Sequence, residues 1–181
     1  KGLVVAKPVS SIAGHWVESV ATSQGVFHAV VFEGLAGTQF EEIEELTPES
    51  FRRWGKALGE LHQATEGYKA AARPTWKDHL AMVSEYLPAT EQTARLALSE
   101  LQAQLTRLSI DAGNYGLIHF DFELDNTVWN GDKVGIIDFD DCAQYWFVAD
   151  IAFALRDLFD DRAEKVDLQN ESFQHFIAGY R

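Results

Sequence analysis

The stretch Tyr115–Asp141, YGLIHFDFELDNTVWNGDKVGIIDFDD, constrains this chain more than any other. Within it, Asn130-Gly131-Asp132 lies between Thr127-Val128-Trp129 and Val134-Gly135-Ile136-Ile137. An Asn-Gly pair between β-branched and aromatic runs is a strong hairpin signal, because the tightest turns need φ above zero at their central residues. A turn that pairs Asn130 with Lys133 sets Asn126 opposite Ile137, with Asp138 one residue beyond. Neighbouring strands lie about 5 Å apart. The sequence therefore predicts that Asn126 and Asp138 meet at the open end of the ribbon, with Asp121 on the loop leading into it. A carboxamide and a carboxylate offer hard oxygens that suit magnesium, an ion that keeps waters and phosphate oxygens around it. A nearby carboxylate free of metal can orient or deprotonate a hydroxyl. That is a phosphoryl-transfer site in outline. The competing account is that Asx residues beside Asn-Gly serve the turn alone; motif, spacing, hairpin and a second acid weigh jointly against it.

His119-x-Asp121-x-x-x-x-Asn126, followed by Ile136-Ile137-Asp138-Phe139, resembles the catalytic loop and metal-binding segment of the aminoglycoside phosphotransferase/choline kinase family. The resemblance implies an α+β, protein-kinase-like fold: a mainly helical C-lobe with a catalytic β-hairpin, plus a remnant N-lobe hairpin and a hinge. It implies that Asp121 is the base that accepts the substrate proton, and that Asn126 and Asp138 hold the metal. His119 is expected to hydrogen-bond the loop rather than act as a base. Asp150-Ile151-Ala152 is similar to the family's Asp-Leu-Ala element, so Asp150 is expected to support the catalytic loop from behind and to cap the helix that follows it. Phe32, Glu33, Gly34 and Leu35 fall at the family's hinge, where backbone groups bond the adenine edge, and Val128 and Ile137 would form the apolar floor for the same base. Asp140 and Asp141 either touch substrate or bond backbone. Two departures narrow the reading. Phe120 stands where the family usually has Gly and protein kinases have Arg, and Asp140 replaces the kinase Gly, which points to a small-molecule kinase.

Composition excludes other classes. A net charge of −13 disfavours nucleic acid as a partner, since phosphate neutralisation needs a basic surface. No apolar run approaches the length that spans a bilayer. The single cysteine, Cys142, excludes an internal disulfide and fits a reducing compartment, so the cytoplasm is expected. Most of the acidic excess reads as solvated surface, and a share of it would favour a cationic substrate.

Along the chain, Gly2–Val9 is interrupted by Pro8 and reads as an edge strand or connector. The runs 15–22 and 26–33 read as an antiparallel hairpin turning at Ser23-Gln24-Gly25. Thr47-Pro48-Glu49 opens a helix with the stripe Phe51, Trp54, Leu58 and Leu61, ending near Gly67; His62 on it reads as a packed residue. Thr75 caps a second helix bearing Trp76, Leu80, Val83 and Leu87. Thr90 opens a third with Ala94, Leu98, Leu101, Leu105 and Leu108, and both read as core scaffold. Tyr145, Trp146 and Phe147 read as an aromatic cluster packed in the core or walling a cationic substrate. Phe173, Phe176, Ile177 and Tyr180 have helical spacing.

The expected division is residues 1–33 as partial N-lobe strands, 34–40 as the hinge and 41–181 as the C-lobe. No glycine-rich strand-turn-strand appears, and Lys7, which precedes Pro8, cannot take the place of the N-lobe lysine. The chain is thus expected to be a fragment or truncated relative that folds but turns over little by itself. The implied activity is ATP- and Mg2+-dependent phosphorylation of a hydroxyl on a small, cationic molecule, with GTP open as the nucleotide. The alternatives are a pseudokinase-like scaffold and a metal-dependent hydrolase.

Overall fold

The computed structural model describes residues 2–68, 72–159 and 167–181. At its centre is the expected ribbon, strands β7 (Thr127–Asn130) and β8 (Lys133–Ile136), paired from Asn130↔Lys133 to Thr127↔Ile136. Gly131 turns it with φ of 60°. One more main-chain bond, Ile137 N to Asn126 O at 3.1 Å, carries the ladder to the open end.

A third strand extends the ribbon in a way the sequence did not reveal. β1 (Val4–Val5) runs parallel to β8, with Val4 opposite Gly135 and Val5 opposite Ile136. Pro8 sits in β2 (Pro8–Val9), which pairs with β5 (Val31–Phe32); both are short, exposed edge strands, where a missing N–H is tolerated. The N-terminal hairpin is shorter than predicted, β3 (Glu18–Thr22) against β4 (Gly25–Ala29). Its turn is two residues, since Gly25 at φ 134° already pairs with Thr22. The predicted second run breaks at Val30, because Val31 and Phe32 leave this hairpin to pair with β2.

Helix α1 (Pro48–Thr65) starts as predicted, with Thr47 accepting from the Ser50 amide. Its stripe of Phe51, Trp54, Leu58 and Leu61 is buried against Phe122, Ile136 and Phe176. Trp54 is the hub: it stacks on Phe122 at 6.3 Å and meets Phe176 edge-on at 5.3 Å. Each such side chain taken from water stabilises the fold by about 1.5–3 kcal/mol. Phe176 lies on α5 (Glu171–Tyr180), capped by Asn170. The two helices cross so closely that a Cβ on Gly55 would sit 2.0 Å from the Phe176 carbonyl oxygen, and one on Gly179 1.9 Å from that of Arg52.

Helices α2 (Trp76–Tyr86) and α3 (Gln92–Thr106) correct the scaffold reading. Thr75 and Asp78 form a capping box on α2, but Trp76 is its one buried residue, and α3 buries none. Along the α3 stripe, which packs on α2, Leu98 and Leu105 are half-buried while Leu101 and Leu108 are exposed. Thr90 does not cap α3 either; Glu91 holds that place without a side-chain bond.

Strand β6 (Tyr115–Ile118) leads into the loop that carries His119 and Asp121 and pairs with β9 (Ala143–Trp146), Ile118 opposite Ala143. The aromatic cluster is therefore a strand as far as Trp146. Phe147 then starts α4 (Phe147–Ala154), four residues earlier than a cap at Asp150 would allow. Asp150 does not cap this helix; it sits inside it, free to serve another backbone. No described helix is long and apolar enough to cross a membrane.

Candidate active site

The β6–β9 register brings the segment after Ile118 beside the segment before Ala143, so two loops distant in sequence form one wall. The 119–121 loop is held from behind. Asp150, fully buried, accepts the His119 amide through Oδ2 and the Phe120 amide through Oδ1, both at 2.8 Å. His62 supports that carboxylate, its Nε2 lying 3.0 Å from Oδ2. A carboxylate only accepts, so the proton is on Nε2; Nδ1 then takes the Tyr180 hydroxyl at 2.8 Å. Stacking on Phe147 at 4.4 Å fixes the ring.

His119 is equally buried, and its Nε2 donates to the Ile137 carbonyl at 2.9 Å, tying the loop to the end of the ribbon. Its Nδ1 has no partner among the described residues and no path to water. The ring is placed to hold two backbone segments together.

Asn126 ends a short 3-10 turn, Leu124–Asn126. Its amide nitrogen donates to the Asp121 carbonyl and to Asp121 Oδ2, each at 2.9 Å. Both protons of that nitrogen are thus engaged, which leaves Oδ1 without a hydrogen bond among the described residues. Asp138, exposed, adopts φ of 58°, a left-handed conformation that Asp tolerates better than bulky residues. Among the described residues no three His, Cys, Asp or Glu side chains gather as a metal cluster. A carboxamide oxygen and one carboxylate at a ribbon end nonetheless match an ion that takes its other ligands from water and phosphate.

Beside them is a cavity of about 400 Å³ lined by Phe32, Glu33, Gly34, Leu35, Val128, Ile137 and Asp138. All the hinge and floor residues singled out in the sequence meet there. Asp140 and Asp141 line a second cavity, of about 440 Å³. The Asp140 amide lies 3.4 Å from Asp138 Oδ1, so the two cavities are joined by three consecutive residues.

One residue at the site escaped the sequence reading. Glu123, on the same loop, has its carboxyl pushed up to about 7, first by burial and then by its hydrogen bond to the Asp121 side chain; Arg156 pulls the other way through an ion pair. Glu123's place in the loop was the available signal, two positions past Asp121. Cys142 is buried with its thiol pushed up to about 11, chiefly by burial.

A family model described as the phosphotransferase enzyme family matches residues 2–181. The chain belongs to that family. No curated protein matches the sequence. Among solved structures, an amicoumacin kinase in complex with AMP-PNP and Ca2+ shares 29% identity with a TM-score of 0.83, over 99% of this chain and 56% of its own. A microcompartment-associated aminopropanol kinase shares 25% identity with a TM-score of 0.68, over 99% and 59%. Aminoglycoside 2'-phosphotransferase-IIIa, solved with GDP, is 18% identical with a TM-score of 0.58, over 97% and 65%, and speaks for the fold alone. This phosphotransferase-family chain therefore has the protein-kinase-like α+β fold and spans between 56% and 65% of the length of these three relatives.

Proposed function

We propose that this member of the phosphotransferase family carries the catalytic half of a kinase that moves the γ-phosphoryl group of ATP to a hydroxyl on a small, amine-bearing molecule. In this reading residues 1–33 supply N-lobe strands, 34–40 the hinge, and 41–181 the C-lobe. The observation that carries it is the bond from Asn126 to Asp121 beside a cavity that ends at Asp138. The similarity to a kinase solved with AMP-PNP supports ATP as the donor. The names of the two relatives at or above 25% identity, kinases of amicoumacin and aminopropanol, support a small-molecule acceptor.

Asp121 takes the proton of the acceptor hydroxyl as its oxygen bonds the γ-phosphorus. The bond from that phosphorus to the bridging oxygen breaks, and its electron pair leaves with the nucleoside diphosphate. Asn126 holds Asp121 by one oxygen, which aims the other at the acceptor. Magnesium held by Asn126 Oδ1 and Asp138 would supply charge neutralisation for the phosphate oxygens. Val128, Ile137 and Leu35 remove the base from water, while Glu33 and Gly34 offer main-chain groups to its edge.

Asp121→Asn in the full-length protein is expected to lower kcat by about 10²–10⁴-fold, the usual contribution of a positioned base. Nucleotide affinity should stay within about twofold, since Asp121 lies outside that cavity. Full activity in the variant, measured by coupled diphosphate release, would remove Asp121 from its role.

A further inference from the structure

The cavity beyond Asp138 has a composition that narrows the acceptor. It is lined by His79 and Met82 from α2, by Phe120 from the catalytic loop, and by Asp140, Asp141 and Tyr145. Its volume, about 440 Å³, suits a small molecule. Phe120 immediately precedes Asp121, so an occupant lies within reach of the carboxylate proposed to take the proton.

The wall is aromatic and organised. The Phe120 ring lies 4.8 Å from that of His79, 5.2 Å from Tyr145 and 4.9 Å from Phe153. The Tyr145 hydroxyl and His79 Nδ1, 3.0 Å apart, fix those two rings relative to one another. Phe120 holds this place at φ of 75°, a left-handed conformation that glycine adopts freely and a side chain does not. Strain of this kind gathers at ligand-contacting positions. Met82, half exposed at 50%, leaves a polarisable apolar group at the rim, a residue type suited to ligand surfaces.

The opposite character comes from the acids. Asp140 and Asp141 are exposed, and neither carboxylate is paired with a cation among the described residues. Arg73 donates to the Asp140 carbonyl oxygen rather than to a carboxylate, and it does not line the cavity. An ammonium held there meets negative charge on one side and aromatic faces on the other, two attractions that add.

We propose that this cavity takes an acceptor joining a flat aromatic ring to a protonated amine, with Phe120, Tyr145 and Met82 against the ring and Asp140 and Asp141 against the ammonium. The inference rests on the kinase reading of the neighbouring loop. Phe120 is then a specificity-determining residue.

Isothermal calorimetry on the full-length protein tests it with four probes: a naphthyl-substituted aminoethanol, aminopropanol, a naphthyl alcohol without the amine, and kanamycin. The naphthyl amine should bind about tenfold more tightly than aminopropanol, the gain expected from one ring contact of about 1.4 kcal/mol. Phe120→Gly should remove most of that advantage while leaving aminopropanol within about twofold, and Phe120→Leu should keep part of it. Joint Asp140→Asn and Asp141→Asn replacement should weaken both amines and leave the neutral naphthyl alcohol unchanged. Should Phe120→Gly fail to fold, Met82→Ser at the exposed rim must lower naphthyl-amine affinity selectively. Equal affinity for the two amines, tighter binding of kanamycin, or a ring preference that survives these variants overturns the proposal. AMP-PNP binding on the same sample separates the two readings. Naphthyl-amine binding without nucleotide binding sinks the kinase reading alone, and nucleotide binding without ring preference sinks this one alone.

Discussion

At the scale of residues, the site is set by who holds whom. Asp150, itself fully buried, serves two main-chain amides and His62 at once. Asp150→Ala would leave these donors without a partner, so a loss of about 3–5 kcal/mol is expected in urea unfolding, as for other broken buried networks. The nearness of Asn126 to Asp121 was legible because motif and turn chemistry are local. Asp150's contact with the catalytic loop was expected from family likeness, but its predicted capping of its own helix was mistaken, since an Asp before an apolar run reads as a cap whichever backbone it serves. Glu123 was not legible, because its character comes from burial beside Asp121. The folded protein keeps its proton up to about 7, whereas the ordinary value is 4.5. The stabilisation from this proton is fully present below pH 4.5 and is lost as pH rises through about 7, because there the buried carboxylate must charge. Glu123→Gln should flatten that slope, recovering about 1–3 kcal/mol of stability at pH 8 relative to pH 4.5, read from denaturation midpoints across the range.

At the scale of elements, α1 and α5 show what pattern conveys and what it hides. The apolar stripe and Thr47 cap announced α1, but nothing in its sequence named the surface it would bury against. Gly55, Gly59 and Gly179 let two backbones meet, which side-chain periodicity does not encode. Gly55→Ala must push α5 away from the Trp54 cluster. A loss of about 1–3 kcal/mol is expected from overpacking, with a matching drop in midpoint. The α2 and α3 stripes looked the same as that of α1 on paper, yet apart from Trp76 they are at most half-buried, since periodicity reports an apolar face and not its partner. β9 was missed because four residues of mixed polarity have no pattern until β6 lies beside them.

At the scale of the molecule, pieces far apart in the chain converge on one wall: β1 on the ribbon, β6 on β9, and α5 on α1. The α5 contact reaches the chemistry through the Tyr180 hydroxyl, His62, Asp150 and the amides of His119 and Phe120. Those two amide protons are therefore expected to exchange with deuterium in step with local opening of α5 around Tyr180, although more than fifty residues separate them in sequence. A pull on α5 at Tyr180 would pass, through that relay, to the loop that carries Asp121.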